Sequence, residues 1–562
     1  MTREPCALGL DFGTASVRAL VVETRTGRER GSAVAEYRHG VIEASLPGSG
    51  ARLPADWALQ HPGDYLESIA KAVPEALSAG AVDKAAIVGI GVDFTSCTIL
   101  PVDSAGRPLC LSAEWAARPH AWVKLWKHHA AQPQADRINA LAAERHEAFL
   151  DDYGGKTSSE WLVAKALQVL EEDREVYGAA AAFVEGGDWV VAQLTGVLVR
   201  NSCGAGYKGF WSAARGFPPR AFFAALSPEF GDLPEKLAGE IVPPGRAVGG
   251  LTVEVAVRLG LSPGTAVGAA IIDAHSAVPA STVVTPGRMV LVLGTSSCHM
   301  LLSKRHAAVE GIGGVVRDGI VEGYYGYEAG QPAVGDLFGW FARLIGSEGD
   351  FAALERAAAA CPPGANGLLA LDWWNGNRSV LVDANLSGLL VGLTLSTGAA
   401  DIYRALIEAT GFSTRRILDA FEREKISVEE LIAVGGLAER SPLLVQIYAD
   451  ITRRPITLAA TANASALGAA MLGAVAAGEA RGGHGSFVEA GRAMAHLKPA
   501  RVEPDAARAN AYDALYGDWL ELHDHFGRGG TDVMRRLKSG VRSGNLGFSK
   551  PGQTPKNPDL TP

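Results

Sequence analysis

The segment ALGLDFGTASVRALVVE, residues 7–23, is the most informative part of the chain for its architecture. Two apolar runs flank a glycine-containing turn at Gly13 and Thr14, which predicts strand, tight turn, strand. RMVLVLGTSSCHMLL, residues 288–302, has the same order around another Gly-Thr turn, and IVGIGVDFTSCTILPVD, residues 87–103, repeats the order once more. The two Gly-Thr hairpins predict two related halves that face each other, with a boundary around residues 282–288.

Helices and strands alternate over almost the whole chain, which predicts the α/β class. ADIYRALIEATGFSTRRILDAFERE, residues 400–424, has the apolar spacing of a long amphipathic helix. ELIAVGGLAERSPLLVQIYADITRRP, residues 430–455, predicts a strand, a double-glycine turn and a helix. A chain of 562 residues is too long for a single hydrophobic core, so we expect at least two domains.

Composition excludes several classes of function. The net charge of −9 argues against nucleic acid as the main partner, because such proteins need basic surfaces. Backbone amides and a metal ion can still bind the phosphates of ATP. The six cysteines have no zinc-type spacing and are expected to be reduced thiols. Because we find neither a signal peptide nor an apolar stretch that could cross a bilayer, we expect a cytoplasmic protein with no membrane partner.

One carboxylate stands out in AVGAAIIDAHSAVPA, residues 266–280. Asp273 follows an apolar run that predicts a buried strand, and a helix is predicted after it. Two interpretations remain open from these residues alone. Asp273 either caps the helix by accepting a backbone N–H, or serves as a general base at the bottom of a cleft.

Three motifs carry a family resemblance. DFGT (11–14), LGTSS (293–297) and GGLAERSPLLVQIYAD (435–450), in this order and spacing, resemble the FGGY family of carbohydrate kinases. The resemblance extends over residues 7–480 and implies two actin/hexokinase-like, ribonuclease H-type α/β domains that face a central cleft. The implied organisation is an N-terminal domain with the sugar site and the catalytic base (1–285), a C-terminal nucleotide-binding domain (286–500), a helical segment (501–540) and a mobile tail (541–562).

The resemblance also implies a sugar site. Asp273 matches the general base of the family, and Lys208 and Glu328 match residues that hydrogen-bond sugar hydroxyls. Thr95 and Ser96 match the loop that lines the sugar pocket. Taken without the resemblance, Lys208 and Glu328 are ordinary candidates for solvated side chains.

The implied cofactors are ATP and Mg²⁺. Asp11 would hold the magnesium ion through water. The residues expected around the phosphates and the magnesium ion are Asp11, Gly13, Thr14, Gly294 and Thr295, and those expected around the adenosine are Gly435 and Gly436.

Several further segments are most similar to family members that act on L-ribulose, among them YRHGVI (37–42), NSCGAGYKGFW (201–211) and LDWWNGNRS (371–379). They imply phosphorylation of L-ribulose to L-ribulose 5-phosphate in L-arabinose catabolism. A kinase for another ketopentose or pentitol (D-ribulose, ribitol or xylulose) and a non-catalytic sensor that binds ATP and sugar on the same fold remain alternatives. The sequence leaves the oligomeric state open, with a homodimer as one alternative.

Overall fold

The structure is a computed structural model that describes residues 4–347, 350–364 and 366–542. The predicted tail, residues 541–562, lies outside these residues from position 543 onward. Strands and helices alternate along the described chain, which confirms the predicted α/β class. No helix in the described ranges is both long enough and apolar enough to span a membrane.

The first half contains one large sheet and one smaller sheet. The large sheet has the strand order β11-β12-β5-β1-β2-β3, with β13 also paired to β5; β4-β7-β6-β8 form the smaller sheet, and β9 pairs with β10. These strands are β1 Cys6–Phe12, β2 Ser16–Glu23, β3 Glu29–Glu36, β4 Leu59–Gln60, β5 Ile87–Phe94, β6 Ile99–Val102, β7 Val123–Lys124, β8 Ala182–Glu185, β9 Arg200–Asn201, β10 Ile241–Val242, β11 Ala247–Gly250, β12 Ala266–Gly268 and β13 Ile271–Ile272.

Helices cover the sheets of the first half. The α-helices are α1 Pro62–Ala79, α2 Gln132–Glu144, α3 Leu162–Glu172, α4 Arg174–Ala179, α5 Gly186–Thr195, α6 Ser202–Gly209, α7 Arg220–Leu226, α8 Leu233–Lys236, α9 Val253–Leu259 and α10 Asp273–Ala280. Short 3₁₀ helices lie at Lys84–Ala86, Leu109–Leu111, Pro119–Ala121, Ala148–Tyr153 and Pro228–Asp232.

The second half repeats the plan of one large sheet with helices. Its sheet has the order β16-β17-β15-β14-β20-β21-β22, and β18 pairs with β19. The strands are β14 Arg288–Leu293, β15 Ser297–Ser303, β16 Gly314–Arg317, β17 Tyr325–Gln331, β18 Leu369–Leu371, β19 Leu389–Val391, β20 Glu430–Val434, β21 Ile456–Ala459 and β22 Leu497–Val502. The helices are α11 Gly335–Leu344, α12 Phe351–Ala359, α13 Ala399–Arg423, α14 Gly436–Arg440, α15 Pro442–Thr452, α16 Ala464–Ala477, a 3₁₀ helix at Glu479–Arg481, α17 Phe487–Met494, α18 Ala506–Gly527 and α19 Val533–Arg542.

The two predicted Gly-Thr hairpins are confirmed, and the pairing around them is the same. β1 pairs antiparallel with β2 and parallel with β5, while β14 pairs antiparallel with β15 and parallel with β20. The third segment, residues 87–103, forms strands β5 and β6, but these strands do not pair with each other. β6 pairs instead with β7 and β8 in the smaller sheet.

Helix α16 belongs to the second half of the chain but packs on the large sheet of the first half. A Cβ atom at Gly9 would lie 2.0 Å from the carbonyl oxygen of Ala466, and one at Gly91 would lie 2.0 Å from that of Ala469. Because glycine has no side chain, the backbone of the helix approaches the strands directly. This close packing joins the two halves along the middle of β1 and β5.

Candidate active site

Two predicted acidic residues come together at the ends of two strands that lie on either side of β5. Asp11 lies near the end of β1, and Asp273 is the first residue of α10, directly after β13. β5 pairs with β1 on one side and with β13 on the other, so both carboxylates lie at the same edge of the sheet. The charge of Asp11 acts on Asp273.

The surroundings of Asp273 bear on its two interpretations, as a helix cap and as a general base. Its Oδ1 accepts a hydrogen bond from the backbone N–H of Ala274 at 2.7 Å, while the N-cap position itself is occupied by Ile272. Burial raises the pKa of Asp273 to about 7. The charges of Asp11 and Glu328 also raise this pKa, while the hydrogen bond from the Ala274 amide lowers it. A carboxylate with a pKa near neutrality is suited to accept a proton from substrate.

Lys208 and Glu328 form an ion pair beside Asp273. Lys208 lies in α6, near its end, and its Nζ donates to Glu328 Oε1 at 3.0 Å and to Oε2 at 2.8 Å. The side chains are 6% and 12% exposed, so neither is the solvated surface group that residue type alone favours. His275 Nε2 lies 3.3 Å from Glu328 Oε2.

Both members of this pair are charged near neutral pH. Burial alone would raise the pKa of Glu328, but the charge of Lys208, with a contribution from the adjacent His275, outweighs burial and holds that pKa well below its ordinary value. Burial alone would lower the pKa of Lys208, but Glu328 raises it. The pair therefore offers a fixed donor and a fixed acceptor to a polar ligand.

The loop with Thr95 and Ser96 follows β5 and is held from two sides. The backbone N–H of Thr95 donates to Phe12 O at 3.1 Å, which ties the loop to the end of β1. Lys165, fully buried in α3, donates from Nζ to Cys97 O at 2.6 Å and to Leu125 O at 2.8 Å. Lys165 thus positions the loop without facing a ligand itself.

The first predicted phosphate turn is similarly braced. The N–H of Gly13 donates to Ser16 O at 3.0 Å and closes the hairpin. Trp126 Nε1 donates to Thr14 Oγ1 at 3.1 Å, and Gln60 Nε2 donates to Thr14 O at 2.8 Å.

The glycines of the second half also come together. Gly294 and Thr295 are exposed, and their carbonyl oxygens accept hydrogen bonds from the N-terminal region of α11. Gly435 has φ +106°, and a Cβ atom there would lie 2.4 Å from Leu293 O. The turn at Gly435 and Gly436 therefore lies against the end of β14, beside Gly294, in a conformation that other residues rarely adopt.

Cys298 connects the two groups of residues. It lies in β15, just after the Gly294 turn, and burial raises the pKa of its thiol to about 11. The charges of Asp273, Lys208 and Glu328 all act on this thiol. The hairpin of the second half thus borders the charged cluster, most of which the first half supplies.

Two cavities of the described chain lie elsewhere. One of about 630 Å³ lies between α1, α5 and α9, and another of about 410 Å³ lies beside Lys156 and Arg528. Neither cavity is lined by a predicted site residue.

Away from the charged cluster, two histidines and an aspartate have the residue types of a metal site. His39, His61 and Asp64 place ligand atoms within 4.8 Å of one another. Asp64 already accepts hydrogen bonds from the backbone N–H and Nδ1 of His39, both at 2.8 Å, and His61 Nδ1 accepts one from Gly63. Hydrogen bonds within the protein therefore explain why these three side chains lie together.

Sequence reasoning assigned no role to three residues of the charged cluster. His275 contacts Glu328, and Arg378 lies close enough for its charge to act on Lys208, Glu328 and Cys298. Asp93 lies opposite Asp11 in the parallel pairing of β1 with β5. Burial and the charges of Asp11 and Asp273 raise the pKa of Asp93 well above its ordinary value.

A signal for Asp93 was present in the sequence. GLDF (9–12) and GVDF (91–94) repeat the pattern Gly-x-Asp-Phe at the ends of two predicted strands. In the structure the two aspartates and the two phenylalanines lie in register, and the rings of Phe12 and Phe94 stack with centroids 5.0 Å apart.

Comparisons with known proteins agree with this architecture. The family model of the N-terminal domain of FGGY carbohydrate kinases matches residues 6–279, and that of the C-terminal domain matches residues 289–477. The chain is 52% identical over 543 residues to a ribulokinase of Shouchella clausii, covering 94% of this chain and 97% of that protein. A ribulokinase of Anoxybacillus flavithermus is also 52% identical, with 94% and 96% covered.

A solved structure extends the agreement to the fold. The xylulose kinase of Rhodospirillum rubrum superposes with a TM-score of 0.77 at 24% identity, covering 92% of this chain and 98% of that one. The predicted actin/hexokinase-like fold of two domains is thereby confirmed. From the matches of both family models and the identity to curated relatives, the chain belongs to the FGGY family of carbohydrate kinases.

Proposed function

We propose that this kinase transfers the γ-phosphoryl group of ATP to L-ribulose and forms L-ribulose 5-phosphate, as in L-arabinose catabolism. The observation that carries this proposal is the 52% identity to a ribulokinase over 94% of the chain. Identity at this level over nearly the full length supports a shared reaction as well as a shared fold.

Asp273 acts as the general base. A sugar hydroxyl is a weak nucleophile, and a carboxylate within hydrogen-bond reach removes its proton as the new bond to phosphorus forms. Such assistance is typically worth about 10²–10⁴-fold in rate. The position of Asp273 at the start of α10 and its pKa of about 7 support this role.

The ion pair of Lys208 and Glu328 binds sugar hydroxyls, and the loop at Thr95 and Ser96 lines the sugar pocket. A buried ammonium donates hydrogen bonds and a buried carboxylate accepts them. A sugar hydroxyl beside both can therefore accept a hydrogen bond from Lys208 and donate one to Glu328. The ion pair is fixed before the sugar arrives, which lowers the entropy lost on binding.

ATP and magnesium fit the remaining residues. The exposed backbone at Gly294 and Thr295 and the turn at Gly13 and Thr14 suit phosphate oxygens. Gly435 and Gly436, which follow β20, would lie against the adenosine. Asp11 would hold Mg²⁺ through water. The facing carboxylate of Asp93, which accepts no hydrogen bond from the described residues, supports a cation here. When bound, Mg²⁺ neutralises charge on the transferring phosphoryl group.

A coupled assay of ADP release tests the proposal. The purified protein is incubated with Mg·ATP and one of L-ribulose, D-ribulose, ribitol, xylulose or glycerol. We expect the highest kcat/KM with L-ribulose. A higher value with another sugar would reassign the substrate within the family, and no sugar-dependent ADP release with any of them would refute the kinase proposal.

A further inference from the structure

Asp93 is a fully buried carboxylate without a hydrogen-bond donor. It is 0% exposed, and neither Oδ1 nor Oδ2 has a hydrogen-bond partner among the described residues. In the described part of the chain it is the only buried carboxylate with both oxygens in this condition. An ionised group in such a place is costly unless something positive compensates it.

Other buried carboxylates of the protein show how such groups are usually satisfied. Asp188 accepts from the backbone N–H of Asn201 at 3.0 Å and from its Nδ2 at 2.7 Å. Glu328 accepts twice from Lys208. The environment of Asp93 therefore departs from the pattern that the same fold follows elsewhere.

The groups around Asp93 make the unbalanced charge larger. In the parallel pairing of β1 with β5, Asp11 is its direct neighbour, so both side chains lie on the same face of the sheet. On the other side of β5, Ile271 is the register partner of Asp93, which brings Asp273 to the same edge. Ionised carboxylates are acceptors only, so these three cannot satisfy one another by hydrogen bonding unless Asp11 and Asp93 share a proton.

We propose that Asp93 is a second protein carboxylate of the magnesium site, which acts with Asp11 to hold the divalent cation that accompanies ATP. Mg²⁺ is commonly bound by one or two carboxylates together with waters and substrate phosphates. The charge of Arg18 acts on Asp11, but no basic residue is among the groups whose charges act on Asp93. A cation between Asp11 and Asp93 supplies positive charge to Asp93 as well. The inference rests on the proposed function, because that function brings Mg·ATP to this edge of the sheet.

Direct measurement of metal binding tests the role of Asp93. Mn²⁺ is titrated into the full-length protein with and without saturating ADP, and free Mn²⁺ is counted from its electron paramagnetic resonance signal. We expect Asp93→Asn to raise the dissociation constant of Mn²⁺ at least tenfold. Its thermal midpoint without metal should be close to or above that of the wild type, because the amide is uncharged and places no further negative charge beside Asp11 and Asp273.

Asp188→Asn is the matched control, since Asp188 is equally buried but already hydrogen-bonded. We expect it to keep the wild-type affinity for Mn²⁺ and to lower the thermal midpoint. Asp93→Thr provides a second uncharged variant at the same position, because threonine is a residue that β-strands favour.

Two results would overturn the inference. One is wild-type Mn²⁺ affinity in Asp93→Asn, as expected if Asp11 and Asp93 merely share a proton. The other is failure of both Asp93 variants to fold, which would make the carboxylate a structural requirement. The titration contains no sugar, so it tests metal binding independently of sugar phosphorylation. If Asp93 proved necessary for Mn²⁺ binding but the wild type released no ADP in the coupled assay, the proposed function would be refuted and the metal site would stand.

Discussion

Lys208 Nζ lies 3.0 and 2.8 Å from the two carboxylate oxygens of Glu328, although the residues are 120 positions apart in the chain. One residue comes from a helix of the first half and the other from a strand of the second half. The ion pair therefore joins the two halves at the site where we propose that the sugar binds. Its stability and its function should be separable by experiment.

Glu328→Gln should destabilise the protein by about 3–5 kcal/mol, because it leaves the buried Lys208 ammonium without its counter-ion. Glu322→Gln is the control, since Glu322 pairs with Arg246 at 2.8 Å while both side chains are more than half exposed. Such surface pairs contribute about 0–1 kcal/mol. Urea unfolding measures both values. Equal small losses in the two variants would contradict the structural role of the buried pair.

The same substitution should weaken sugar binding. A hydrogen bond to a charged group contributes about 1.5–3 kcal/mol, so we expect the KM for the sugar to rise at least tenfold, while the KM for ATP changes little. Steady-state kinetics with each substrate varied in turn provides the comparison. An unchanged sugar KM would remove Glu328 from the sugar site.

Much of this site was predictable because its parts lie in local motifs. The Gly-Thr turns, the double glycine and Asp273 each follow a strand with a recognisable apolar pattern, and strand ends of one sheet meet at one edge. The pairing of Lys208 with Glu328 was not predictable from composition, because each residue type is usually solvated. Only the resemblance to a family brought these two residues into one site.

Other features required the three-dimensional arrangement. Nothing local to residues 87–103 indicates that β6 pairs in a different sheet from β5, since the choice depends on the partners β7 and β8. Likewise, Asp93 stands out as a candidate metal ligand only when the structure shows that none of the described residues donates a hydrogen bond to it. Hydrogen-bond satisfaction depends on neighbours that are distant in the sequence.

Asp273→Asn should lower kcat by about 10²–10⁴-fold and leave the dissociation constant of the sugar within a few-fold of the wild type. The amide can still accept the hydrogen bond from the Ala274 N–H, so the start of α10 is preserved, but it cannot take a proton. Rapid-quench kinetics and calorimetric titration of the sugar measure the two quantities. The buried, hydrogen-bonded Asp188 provides a control, because Asp188→Asn should keep wild-type kcat. A kcat close to wild type in Asp273→Asn would exclude this residue as the base.

The pH dependence of kcat/KM should report the same carboxylate. Burial raises the pKa of Asp273 from 3.8 to about 7, and only the ionised form accepts a proton. Below pH 7 the active fraction of free enzyme falls tenfold per pH unit, so kcat/KM should fall with a slope of one on the acidic side. Above pH 7 this group should impose no further change. A profile that stays flat down to pH 5 would contradict the assignment.

The contact between α10 and α16 sets the position of Asp273. A Cβ atom at Gly468 in α16 would lie 1.9 Å from Ser276 O and 2.5 Å from Ser276 Oγ, both in α10. No real Cβ atom tolerates such distances, so an alanine there must separate the two helices. Because Asp273 is the first residue of α10, a displacement of that helix moves the carboxylate as well.

Gly468→Ala should therefore lower kcat by up to about 10²-fold, the typical effect of misplacing a catalytic group by 1 Å, and should destabilise the fold by roughly 1–3 kcal/mol through overpacking. Gly517→Ala is the matched control, since Gly517 is also within a helix but has open space where a Cβ atom would lie. Alanine is the better helix former, so this variant should gain roughly 0.5–1 kcal/mol and keep wild-type kcat. Urea unfolding and steady-state kinetics give both quantities for both variants. Wild-type kcat in Gly468→Ala would show that α10 can shift without moving Asp273 out of reach of the sugar, and the close glycine contact would then serve stability alone.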